Sequence, residues 1–349
     1  MSTWRNAAAI AVSAAVAAAT SNAFASERPV RWDVQAHFPS SLPQTGDTMH
    51  RMTEMLELLS EGTIRLSIAE PGALAPPNEI LSSIEAGALD AGYSAPGFWA
   101  GQEPALQVFG GLPFGPPAEE FFAWFWGGEG GEIYQDLYAS FNVHAIPCGV
   151  IPPESAGWYS KRIESTEDLS GLTIRIFGLG GLVLEKFGAS PQLLPVGDTL
   201  PALDLGTIDA AELVTPSIDY ALGLYQFADY YYFPGWHQRT TITDLLINQD
   251  SWDGLSERQQ ELITMVCTDN VRHSLSIGLA AQPVALDNIR AEGIEPERLP
   301  DDVLEALYEA WLEVVDEQLE DSDAFRRAWE SLEAFREGQE EWRELQRLD

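Results

Sequence analysis

One wording of strand, helix and strand occurs twice in this chain, and it restricts the fold more than any other feature. "TIRL" at 63–66 returns as "TIRI" at 173–176, and "IEAGALDAG" at 84–92 returns as "LDLGTIDAA" at 203–211. In each copy an apolar helical segment stops at a glycine, which suits the left-handed conformation that closes helices. Asp-Ala then opens the next strand. The distance between the two marks differs between the copies, so chance within ordinary α/β wording stays open. Their shared order favours a duplicated domain plan.

The surroundings of the first copy extend the pattern. "VRWDVQA" (30–36) reads as a strand, and 46–60 as a helix with Met52, Met55, Leu56 and Leu59 on one face. "TIRLSIA" (63–69) reads as a second strand, followed by a Pro/Gly turn, a helix near 77–86 and a short strand at "DAGYSA". Strands alternating with helices predict an α/β fold with parallel sheets. Two such domains connected by strands place a ligand in the cleft between them. We read 26–150 as the first part of domain I, 151–238 as domain II and 239–300 as a return to domain I. Past residue 301, Leu304, Leu307, Tyr308, Trp311, Leu312 and Val315 follow helical spacing, and Phe325, Trp329 and Leu332 begin another such face. These C-terminal helices (301–349) are expected to span the domains or to form a homodimer interface.

The first 25 residues differ from the rest. Arg5 is their only charge, an Ala/Val-rich run extends from Ala7 to Thr20, and Ala23 and Ala25 form the A-x-A mark of signal peptidase. A retained anchor needs about 20 apolar residues, more than this run holds. Cleavage near Ala25–Ser26 and a periplasmic location are expected. Cys148 and Cys267 are the only cysteines. An oxidising compartment permits one disulfide between them, and two buried free thiols are an equal alternative.

Charge sets a puzzle. Fifty-four acidic residues face nineteen basic ones, of which only Lys161 and Lys186 are lysine. A nucleic-acid partner is excluded by sign. The acidic surface reads as a solvated, aggregation-resistant one suited to high salt. Any anion this chain binds must be held against the field of the whole molecule.

"IRIFGLGG" (174–181) offers two ways to do so. As a dinucleotide loop it fails: Gly178 and Gly180 supply two glycines, but Val183 stands where the third belongs, and no acid follows at the spacing of a ribose partner. No Gly-Lys-Ser/Thr is present either. As a carboxylate grip it is consistent. Arg175 at a strand end can hold a carboxylate through two parallel hydrogen bonds, with the glycines turning the chain into a helix near 179–188 whose amino terminus adds positive potential. An arginine paired with a structural acid is the plain alternative. The five histidines have no zinc spacing.

The stretch "ESAGWYSKRIESTEDLSGLTIRIFGLGGLVLEKFGASPQLLP" resembles the extracytoplasmic solute receptors of tripartite ATP-independent periplasmic (TRAP) transporters. So do "PGAL" (71–74), "GALDAGYS" (87–94), "LPFG" (112–115), "GTIDAAE" (206–212) and "YYYFPGWHQ" (230–238). The last two are similar to the branch that binds 2-oxo and 2-hydroxy monocarboxylates. The resemblance implies a two-domain, hinge-connected periplasmic-binding-protein fold and a solute handed to TRAP membrane permease subunits. It also implies that Arg175 binds the substrate carboxylate, and that a cation is held by Glu154, Glu212, the Leu213 carbonyl and Gln238. The aromatic wall would come from Phe98, Trp99 and Tyr93.

Oxygen-only ligands suit Na⁺ or Ca²⁺, and a cation beside Arg175 would answer the charge puzzle. Two residues depart from the family. Glu154 stands where glutamine is frequent, which favours a divalent ion or, alternatively, pairs with the positive group of a zwitterionic ligand. Leu213 replaces an aromatic residue and reshapes the pocket. Trp236 and His237 read as packing or loop residues. Arg175→Ala is expected to abolish binding while leaving the fold intact. The competing readings are a ligand-sensing subunit of the same fold and an enzyme, for which His237 beside Glu212 is the only lead.

Overall fold

A computed structural model describes residues 28–347; the leader expected over 1–25 lies outside the described residues. The strand at Val30–Ala36 (β1) has the predicted bounds, and Ile64–Ala69 (β2) and Ala91–Ser94 (β3) follow closely. The helix between the first two runs over Thr45–Leu59. It buries Met49, Met52 and Leu56, whereas Met55 is half-buried and Leu59 is exposed. The helix near 77–86 is split into a tight 3₁₀ turn at Pro77–Glu79 and an α-helix at Ile80–Glu85.

These strands pair in parallel, but the first sheet is mixed. Its order is β2-β1-β3-β10-β4, with β4 at Val143–Ile151 and β10 at Thr241–Asn248. β10 is antiparallel to both β3 and β4, which corrects the parallel sheet read from the alternating pattern. It is a late return from the other sheet and is buried at every position, as a central strand must be.

The second sheet has six strands in the order β11-β9-β5-β8-β6-β7. Gly157–Tyr159 (β5) runs antiparallel to Ala210–Ala211 (β8) and to Tyr230–Phe233 (β9). Thr173–Arg175 (β6) lies parallel to β8 and to Ser190–Gln192 (β7). Pro296–Arg298 (β11) pairs with β9, so part of the segment assigned to the first domain joins this sheet instead.

The chain passes between the sheets at 152–156 and again at 234–240. The two crossings are hydrogen-bonded to each other: Gly235 N donates to the Glu154 carbonyl (3.1 Å) and Glu154 N to the Gln238 carbonyl (3.3 Å). A Cβ on Gly235 would stand 2.4 Å from the Glu154 oxygen, so only glycine permits this approach.

A 35-residue helix, Glu257–Ala291, packs on β4 and Thr45–Leu59 and also on the Pro216–Leu222 helix of the other lobe. Cys148 on β4 and Cys267 on this helix form a disulfide. Of the C-terminal helices, Asp301–Asp321 contacts Gly180–Glu185 in the second lobe, while Asp323–Gly338 covers Gly130–Ala139 in the first. Leu307, Trp311 and Val315 are buried as expected, whereas Tyr308 and Leu312 are exposed. Phe325 and Leu332 are fully buried within their own chain, and Trp329 between them is half-buried.

Candidate functional site

Arg175 is the last residue of β6 and lies opposite Ala211 of β8, so Glu212 is the next residue beyond the paired register. The Glu212 amide donates to the Arg175 carbonyl (2.9 Å), fixing the two side chains beside each other. Gly178 then takes φ 70°, the left-handed turn that glycine tolerates. The helix that follows, Gly180–Glu185, has six residues rather than ten. Its glycine acts by absence of bulk, since a Cβ at Gly180 would stand 2.8 Å from the His237 Cβ.

The two crossings supply the rest. Glu154 comes from the first, His237 and Gln238 from the second. Gln238 Nε2 donates to Glu154 Oε1 at 2.7 Å. Arg175 Nη1 donates to Glu212 Oε2 (3.0 Å) and to the Glu212 carbonyl, and its Nε to the Leu194 carbonyl (3.2 Å). Phe177 N adds a bond to Glu212 Oε2 (3.2 Å). His237 Nε2 lies 3.3 Å from Glu212 Oε1 and 3.9 Å from Glu154 Oε2; neither contact is aligned as a hydrogen bond. The acid-paired arginine of the plain alternative is therefore present, inside the candidate site.

All five side chains are buried, which makes their charge costly unless matched. Burial pushes Glu154 well above the usual carboxylate range, and the neighbouring Glu212 adds to the shift. Burial works the same way on Glu212, but His237 and Arg175 outweigh it and hold that carboxyl below its ordinary value. Glu154 Oε2, Glu212 Oε1 and Gln238 Oε1 are buried acceptors without a hydrogen-bond partner. Unmatched buried oxygens of this hardness fit a Na⁺ or Ca²⁺ ion, with the Leu213 carbonyl as a further candidate. Single atoms of Glu154, Glu212 and His237 lie within 4.8 Å of one another.

The cavity at this point is small, about 20 Å³, and is lined by Arg175, Glu154, Gln238 and Leu213 together with Phe38, Phe98 and Phe177. Phe98 packs edge-on to Phe177 (4.7 Å between ring centres) and stacks on His37 (3.6 Å). Of the aromatic residues expected here, only Phe98 lines the cavity. The Tyr93 hydroxyl bonds Thr243 Oγ1 (2.7 Å), and Trp99 is fully buried in the first lobe's core. Phe177 was readable from the sequence, because alternation along a strand puts it on the same side as Arg175. Phe38 had no such mark.

Asp219, unremarked in the sequence, anchors the arrangement. Its Oδ1 accepts from Val214 N (3.2 Å), and its Oδ2 accepts from Tyr231 (2.9 Å), Trp158 (3.1 Å) and Ser155 (3.3 Å). It thereby ties the loop after Glu212 to the crossing that carries Glu154.

Two mixed sheets joined by hydrogen-bonded crossings, with an arginine and unmatched oxygens buried between them, define a two-lobed solute-binding receptor. The chain belongs to the DctP family, bacterial extracellular solute-binding protein, family 7, whose model matches residues 35–322. It is similar to the monocarboxylate 2-oxoacid-binding periplasmic protein of Nostoc sp. (strain PCC 7120), at 31% identity over 319 residues, covering 91% of this chain and 87% of that protein. A TRAP transporter solute-binding protein from Bordetella bronchiseptica, solved with copurified calcium and picolinate, superposes with a TM-score of 0.89 at 31% identity, covering 91% of this chain and 95% of that one. A TRAP periplasmic solute-binding protein from Pseudoalteromonas atlantica, with bound sodium and pyruvate, gives 0.87 at 28% identity, covering 91% and 97%.

Proposed function

We propose that this protein is the periplasmic receptor of a TRAP transporter for a small 2-oxo or 2-hydroxy monocarboxylate, exported with cleavage near Ala25–Ser26. The buried cluster of Arg175, Glu154, Glu212 and Gln238 carries the reading. Arg175 grips the solute carboxylate through guanidinium hydrogen bonds. Glu154, Glu212, Gln238 and the Leu213 carbonyl hold a cation that supplies positive charge beside it, inside a chain whose net charge is −35. Phe98, Phe177 and Leu213 exclude water and set the size of the solute's side chain. A cavity of about 20 Å³ admits a solute only when the lobes part, so capture is a hinge closure. The closed form docks on the membrane permease, and the solute leaves unchanged.

The carboxylate at 154 favours Ca²⁺ over Na⁺. Titration calorimetry of residues 26–349 with pyruvate is expected to show tight binding with Ca²⁺ and much weaker binding in Na⁺ with chelator; equal affinities sink the divalent assignment. Mass spectrometry of recovered pyruvate tests the enzyme alternative, with conversion as the outcome against a receptor.

A further inference from the structure

A second cavity, of about 690 Å³, shares Glu154 with the solute site and is otherwise separate from it. Both crossings form its wall, through Pro153 on one side and Trp236 on the other. The long helix contributes Leu286, and the helix Asp301–Asp321 contributes Leu304. The volume lies in the range of small-molecule sites, and sites of this kind favour places where lobes meet.

Two guanidinium groups stand in this largely apolar wall, Arg239 and Arg298, in a chain with 54 acids and only 19 basic residues. Neither is firmly engaged. Arg239 Nη1 is 3.4 Å from the Gly115 carbonyl. Arg298 directs Nε and Nη2 at Asp301 Oδ1 at 3.4 and 3.5 Å, with both side chains largely exposed, a pair of little worth. Glu154, the one acid of the wall, has its carboxylate turned to Gln238.

We propose that this cavity is a second binding site, for an amphipathic monocarboxylate whose chain lies against Trp236, Leu286 and Leu304 and whose carboxylate is held by Arg239 and Arg298, and that filling it favours the closed receptor. The wall includes both crossings, so its shape depends on the angle between the lobes. An occupant fitted to the closed geometry holds that angle. By linkage, the second ligand and the solute then strengthen each other's binding by the same factor.

The test uses butyrate, hexanoate and octanoate on residues 26–349, each titrated with and without saturating pyruvate and calcium. Affinity is expected to rise by about fourfold per methylene and to be higher when pyruvate is bound, with the reciprocal gain for pyruvate under octanoate. Arg239→Gln with Arg298→Gln is expected to weaken octanoate by at least about tenfold and to leave pyruvate affinity without octanoate unchanged. Competition between octanoate and pyruvate, coupling of the opposite sign, absence of octanoate binding, or full affinity in the double variant each overturns the proposal. Octanoate titrated alone stays readable even if pyruvate is not the solute.

Discussion

Asp219 accepts the Val214 amide hydrogen at 3.2 Å, in the loop that begins with Glu212. The same carboxylate accepts from Trp158, Tyr231 and Ser155, so four donors converge on one buried acid. Asn at this position presents an NH₂ group to one of them and leaves buried donors facing each other. Each such loss costs about 1–3 kcal/mol. Asp219→Asn is expected to lower the melting temperature by several degrees and to weaken pyruvate binding. Tyr231→Phe, which removes one donor and keeps the acid, should do both to a smaller extent. Equal melting points for parent and Asp219→Asn would remove the anchoring role.

Glu154→Gln exchanges a carboxylate for the amide frequent at this position in the family. A unit charge at contact distance is worth well over about 1.4 kcal/mol at the effective dielectric of a protein. The variant should lose more than about tenfold in calcium-dependent affinity and retain binding in sodium. Calorimetry in the two salts reads the ratio directly, and an unchanged ratio would place Glu154 outside the cation's reach.

The ion pair of Arg175 with Glu212 revises the expectation for Arg175→Ala. Both side chains are buried, so removing the arginine takes the hydrogen-bonded ion-pair partner from a buried carboxylate and leaves only His237 beside it, at a cost of up to about 3–5 kcal/mol. Loss of solute binding should therefore come with a lower unfolding midpoint in urea. The double variant Arg175→Ala with Glu212→Gln should regain most of the stability and none of the binding. Micromolar affinity in either would remove Arg175 from the site.

Asp244 gives the stability its own pH dependence. The residue is buried on β10, Tyr134 and Tyr138 donate to its Oδ2 at 3.0 and 2.7 Å, and burial pushes its pKa up to about 7. The folded state thus holds a proton that the unfolded chain releases near 3.8. Its contribution is complete below that value and disappears as pH rises through 7. Relative to Asp244→Asn, the parent should lose about 2–3 kcal/mol between pH 5 and 8. Denaturant curves for both proteins at the two pH values measure the difference, and a pH-independent gap would show that Asp244 stays ionised.

The order of elements in the first lobe was legible because strand and helix periods alternate cleanly from Val30 to Ser94, whereas Glu212 stood out only through the family resemblance of the stretch around Asp-Ala-Ala. The direction of β10 was not legible. "TITDLLIN" is buried at every position despite its Thr, Asp and Asn side chains, and side-chain alternation does not encode which way a strand runs or where it inserts. The cavity wall was misread for a related reason. Tyr93 and Trp99 have the right composition, but their direction is set by contacts with Thr243 and the first lobe's core. Asp219 had no visible signal, because its donors come from separate strands that only the fold brings together, Trp158 on β5 and Tyr231 on β9. His237 could be read as packing, and it is packed, yet within 3.3 Å of Glu212.

The Cys148–Cys267 bond has a topological consequence. β5 through β10 all lie between the two cysteines, so most of the second lobe is a covalent ring closed at its base on the first. A protease cutting any exposed loop of that ring opens it without releasing a fragment. The nicked protein would run as one species on a gel until its sulfurs are reduced, and only then fall into two pieces.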